Sequence, residues 1–211
     1  MPKKWFFVTF LVGLMFSGVA LAQTSAVASD VITRDNLYRL AEVAYVPFDE
    51  DKMPDALAWS PDSQRFALTS PAGIQIFDWT QSVETPLLAL SAANENSFRC
   101  LAWSGTLIAA SCTQNQSAII VWNSETGEQI AALDGGDGSQ IYSVGVIGFS
   151  LDGTRLAANN INDNSVRVWN IDTSTQPPAF QPLATLQTAS DNDSGQNLTP
   201  RDLALSPDGK T

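Results

Sequence analysis

One pattern recurs along this chain: an alternating apolar run, a turn built on Ser, Pro, Asp or Gly, a second apolar run, and an aromatic followed by Asp or Asn. Complete copies span residues 56–78, 101–123 and 147–170, and a fourth begins at Leu203. Trp59, Trp103, Phe149 and Leu205 form one column, spaced 44, 46 and 56 residues apart, each followed by Ser. The pairs Phe77-Asp78, Trp122-Asn123 and Trp169-Asn170 form a second, stepping by 45 and 47. A fixed period means units that bury their apolar faces against one another, so the repeat constrains the fold before any local propensity does. Within a unit, Leu57, Trp59, Phe66 and Leu68 alternate with smaller or polar residues, which is strand rather than helix periodicity.

The turn Pro61-Asp62-Ser63 predicts a hairpin, because Pro presets φ and Asp or Ser hydrogen-bonds the backbone just ahead. Residues 74–77, 119–122 and 166–169, rich in β-branched and aromatic types, supply third strands. Residues 86–90, 129–133 and 182–186 supply outer fourth strands, with Pro86 and Pro182 at strand starts or on an edge. A period near 40–45 residues with four short strands per unit is that of a propeller blade.

On the turns SPDS, SLDG and SPDG, which contain Asp62, Asp152 and Asp208, and the FD, WN and WN dipeptides, the chain resembles the WD-repeat β-propeller family over about residues 37–211. It is similar, more weakly, to exported TolB-like propellers. The resemblance implies an all-β fold of four-stranded antiparallel blades: a lone outer strand in 36–50, blades over 51–92, 93–138 and 139–190, and the start of another in 197–211. Three blades with loose strands at both ends read as part of a larger propeller; a short chain closing its ring with copies of itself is the alternative. The family often orders a blade through a His that bonds an Asp between the second and third strands. Asp163 occupies that position in the third unit, but the chain has no His, so blades held mainly by apolar packing are expected. Trp59, Trp103, Trp122 and Trp169 are expected to pack between neighbouring blades. Trp79 lies outside both columns, either capping a loop or standing in a contact.

Lys3 and Lys4, the apolar stretch 5–20 and the Ala20-Leu21-Ala22 motif read as an export signal over 1–22, cleaved between Ala22 and Gln23 and followed by a polar linker over 23–35. An uncleaved anchor is the alternative; after cleavage no stable membrane span is expected. Two of the eleven basic residues lie in that leader and none of the twenty-two acidic ones does, so the charge moves from −11 to −13 on its removal. Nucleic acid is not an expected partner, because phosphate binding draws on clustered Lys and Arg. Cys100 and Cys112 belong to one hairpin. Folding it about Ser104-Gly105 pairs Trp103 with Thr106 and leaves Cys112 three residues beyond the position opposite Cys100, predicting two buried, unbridged thiols.

The absence of His excludes Ser-His-Asp catalysis and His-ligated metals within this sequence, and no phosphate loop or dinucleotide fingerprint occurs. The segments 134–138 and 191–195 are rich in oxygen ligands but lack the EF-hand pattern, and flexible polar turns are expected there. No cofactor, metal or catalytic residue is therefore expected. The expectation is a rigid, exported, non-catalytic platform for protein partners, with a sensor propeller feeding a downstream domain, or a hydrolase or oxidoreductase with its site beyond Thr211, as alternatives. Candidate binding loops lie on one rim and contain Asn94, Glu95, Asn96, Asp137, Asn162, Asp163, Asp191 and Asp193.

Overall fold

The computed structural model describes residues 53–70, 73–81, 85–91, 98–112, 119–133, 144–161, 163–187, 190–191, 196–197, 200 and 202–210. The chain divides into units Met1–Glu50 and Asp51–Thr211, and every described residue lies in the second. The expected signal, linker and lone outer strand lie outside the described residues.

Three four-stranded antiparallel meanders hold twelve of the fourteen strands among the unit's described residues. The first is β1 (Leu57–Trp59), β2 (Arg65–Ser70), β3 (Gly73–Asp78) and β4 (Leu88–Leu90); the second is β5 (Phe98–Ser104), β6 (Leu107–Cys112), β7 (Ile119–Asn123) and β8 (Gln129–Leu133). The third is β9 (Ile147–Phe149), β10 (Arg155–Asn160), β11 (Ser165–Asp172) and β12 (Ala179–Gln187). No helix occurs among the described residues. The first strands β1, β5 and β9 lie side by side, with each sheet stacked on the next, which is how propeller blades radiate from an axis.

The alternation of side chains sends apolar residues of the middle sheet into two separate cores. Ile108, Ala110, Ile120 and Trp122 meet Ala67, Ile74, Ile76 and Leu90 of the first blade. Leu107, Ala109, Ile119 and Val121 meet Ile147, Leu156, Ala158 and Trp169 of the third. All six residues of β6 are consequently buried. Residues 200 and 202–209 lie on the other face of the third blade: Asp152 N–H donates to the Pro207 carbonyl at 3.0 Å, and Asn159 Nδ2 donates to the Pro200 carbonyl at 2.7 Å.

Several expectations need correction. The β5–β6 hairpin turns through Gly105 and Thr106, so Ser104 pairs with Leu107 and Trp103 with Ile108 rather than Thr106. Gly105, with φ 53°, supplies the left-handed residue that a two-residue turn requires. Cys100 then lies beside Ser111, whose Oγ accepts its N–H at 3.0 Å. The two cysteines form no disulfide because they face opposite cores: Cys112 packs toward the first blade, while Cys100 packs toward the third and is only partly buried, with Sγ donating to the Gly145 carbonyl at 2.9 Å.

Pro182 lies inside β12 rather than at its start. β12 is an edge strand and carries a register shift there, so the missing N–H removes no ladder bond that the sheet depends on. In the third blade the strand runs on to Asp172, which caps the following turn. Asn170 instead accepts a hydrogen bond from Arg155 Nη1. Part of the expected flexible turn around Asp191 is a short hairpin, β13 (Ser190–Asp191) with β14 (Gln196–Asn197).

Candidate interaction rim

The ends of β2, β6 and β10 and the starts of β3, β7 and β11 lie on one rim, together with the starts of the first strands β1, β5 and β9. A polar residue stands near the end of each second strand. Thr69 Oγ1 accepts the N–H groups of Asp55 and Ala56 at 2.9 and 3.0 Å, Ser111 Oγ accepts that of Cys100, and Asn159 Oδ1 accepts those of Gly145 and Val146 at 2.7 and 2.8 Å. Register makes the three equivalent, since they pair with Ile74, Ile119 and Val166 at matching places in their sheets. All three are buried, where a polar group must be hydrogen-bonded, and each binds main-chain N–H groups just before or early in its blade's first strand. Nothing in the sequence columns marks them, because their residue types differ.

Asp163 stands in the β10–β11 turn. Its Oδ1 accepts the N–H and hydroxyl of Ser165 at 3.0 and 2.5 Å, and its Oδ2 pairs with Arg167 Nη2 at 3.0 Å. Arg167 is 5% exposed and points with Ala158 and Trp169 toward the middle blade, so a buried guanidinium takes the place of the missing imidazole. Burial opposes ionisation of Asp163, but the Ser165 and Arg167 hydrogen bonds outweigh it and hold the carboxyl below its ordinary range. Gly73, with φ 124°, closes the first rim turn against the Leu90 carbonyl, where a Cβ would collide.

Of the candidate loop residues, only Asp163 is described with its side chain, which is 38% exposed. Asp191 lies in β13, and Asn94, Glu95, Asn96, Asp137, Asn162 and Asp193 fall outside the described residues, as do Ala22 and Gln23.

The opposite rim carries the Ser-x-Asp turns. Ser60, Ser150 and Ser206 donate through Oγ to Asp62, Asp152 and Asp208 at 2.5, 2.6 and 2.8 Å. Each Asp also accepts the N–H two residues on, from Gln64, Thr154 and Lys210. These bonds, led by the serine hydroxyl, lower all three carboxyl pKa values. Ser63, Gly153 and Gly209 complete the turns at φ 58°, 70° and 66°. Trp79 ties its turn to the first hairpin: Nε1 donates to the Ser63 carbonyl at 2.6 Å, and its ring meets Trp59 edge-on at 6.4 Å. Trp122 and Trp169 are buried in the two inter-blade cores. Trp103 is partly buried, with the Arg65 guanidinium 5.9 Å above its ring, and Trp59 packs edge-on against Phe66.

Among the described residues no group of three or more His, Cys, Asp or Glu side chains is arranged to hold a metal ion.

No family model matches this chain, and no curated protein matches it significantly. Among solved structures, a chain of the crystal structure of the mitotic checkpoint complex superposes with a TM-score of 0.54 at 23% identity, covering 74% of this chain and 46% of that one. The likeness supports a WD-type propeller fold, and the chain spans less than half of that neighbour's length. With 570 chains of solved structures matching, the fold is shared too widely to name a task by itself.

Proposed function

We propose that this chain is an exported, non-catalytic WD-repeat-like propeller whose rim docks protein partners. The observation that carries the proposal is the set of buried anchors Thr69, Ser111 and Asn159, which fasten the residues entering each first strand by bonds to main-chain N–H groups. A preorganised surface loses little entropy on docking, so modest polar contacts suffice for specific recognition. The likeness to a chain from a protein complex supports protein partners, and the leader-like first 22 residues support export.

The test is photo-crosslinking in the host, with a reactive residue placed in turn at the candidate loop positions Asn94, Asp163 and Asp191 and at Asp62 and Asp208 in the Ser-x-Asp turns. Crosslinks to one protein species from the first set alone are expected. Crosslinking from the second set alone would overturn the assignment. Export is tested separately by sequencing the mature N-terminus, expected at Gln23; an intact leader in the cytoplasmic fraction would reject it.

A further inference from the structure

We infer that the outer edge of β12 pairs with β12 of a second copy of this chain, as two antiparallel strands related by a twofold axis. Protein sheets protect their edges by keeping edge strands short, by charging them, or by covering them. β4 and β8 follow that practice. They have three and five residues, and Glu128 and Asp134 bracket β8 in sequence. β12 departs from it in length, charge and cover.

It runs for nine residues, and residues 181–187 are exposed one after another. Leu183 and Leu186 are 55% and 57% exposed. No Asp, Glu, Lys or Arg occurs from 173 to 190. Among the described residues no strand pairs with its outer side.

Charge selects the occupant. A chain of net charge −11 repels its own copies over most of its surface, and the uncharged stretch around β12 is where two copies meet without opposing like charges. A basic partner would be drawn instead to the Asp-bearing turns on the rims. A pairing centred on Thr185 places that residue opposite its own copy, a favourable cross-strand pair, and sets Ala184 opposite Leu186 and Leu183 opposite Gln187. Pro182 then falls just outside the paired segment, so its missing N–H breaks no rung. The contact is isologous and closes on itself, giving a dimer rather than a filament.

Sedimentation equilibrium of the full chain over a concentration series tests this, alongside Leu183→Lys/Leu186→Lys and the control Leu87→Lys, which alters an equally exposed leucine beside β4. A concentration-dependent dimer is expected, weakened about tenfold or more by the β12 pair of lysines and unchanged by the control. Thr185→Cys adds a readout independent of affinity. Directly opposite residues have Cα atoms about 4.5–5.5 Å apart, within the span of a disulfide, so mild oxidation should link two chains through position 185. A chain that stays monomeric throughout, a dimer indifferent to the β12 lysines, or an absence of the crosslink would overturn the pairing.

Discussion

The middle and third blades share one topology but hold their neighbours by different means. The middle blade presents hydrocarbon on both faces, sandwiching Ile108 and Trp122 on one side and Ala109 and Val121 on the other. Among the described residues the third blade has such a core on one face only. On its other face, polar and backbone contacts dominate: Asn159 reaches the Pro200 carbonyl, Asp152 N–H reaches that of Pro207, and Gly148 and Gly209 allow close approach of Leu203 and Arg155. A blade is thus not a unit of stability in its own right; what surrounds each sheet decides how much a given position matters.

The largest test of this contrast is at the tryptophans. Trp122→Ala is expected to cost about 3–5 kcal/mol, because the ring fills a core between two sheets. Trp169→Ala should cost a similar amount, whereas Trp103→Ala, partly exposed at the blade margin, should cost clearly less. Equal losses at all three in chemical denaturation would show that the stacked cores are not the main cohesion.

Next in size comes the backbone. Gly73→Ala forces a side chain into the Leu90 carbonyl at φ 124° and is expected to cost about 3 kcal/mol. Gly105→Ala, at φ 53° with open space around it, should cost about 1 kcal/mol. The ratio of the two, read from urea midpoints, sharpens the distinction between a crowded turn and an open one.

A smaller effect is expected at Asp163. Its folded carboxyl titrates below the ordinary value near 3.9, so the folded state binds fewer protons than the unfolded one through that range. The stabilisation is complete above that ordinary value and is lost as pH falls through it toward the folded pKa. Asp163→Asn should therefore flatten part of the acid limb of stability between about pH 5 and 2 and lower neutral stability by at least the same increment, since it also removes the carboxylate paired with the buried Arg167 guanidinium. An unchanged acid limb would show that the Arg167 pair holds nothing in place.

The least perturbing experiment is thiol labelling. Partial burial raises the Cys100 pKa, but its side chain remains accessible, so a maleimide should modify it slowly in the native protein. Cys112, 2% exposed, should react only on unfolding. Simultaneous labelling would contradict the opposite-facing arrangement.

Much of this architecture was legible in the residues. The Ser-x-Asp turns carry their own hydrogen-bonding logic, and strands such as 129–133 emerged at the expected bounds because turn residues delimit them. The Cys100 register was not, because a hairpin's pairing depends on how many residues the turn uses, and Ser104-Gly105-Thr106 fits two lengths. Arg167 also escaped notice. Burial in β11 alternates strictly and Arg167 lies in the buried phase with Ser165, Trp169 and Ile171, but a charged residue by itself reads as surface. Thr69, Ser111 and Asn159 share a role without sharing a chemistry, and only the pairing of strands aligns them. The loop residues Asn94, Asp137 and Asp193 lie outside the described residues.

Those three anchors grip peptide groups, which every residue except proline presents in the same form. On the proposed reading, a rim fastened this way tolerates replacement of its decoration: substitution in the connecting segments redraws the contact surface while its attachment points keep the same grip. Recognition and folding are then able to drift separately, and grafting foreign loops between the anchored positions offers a direct route to a new binding specificity on this framework.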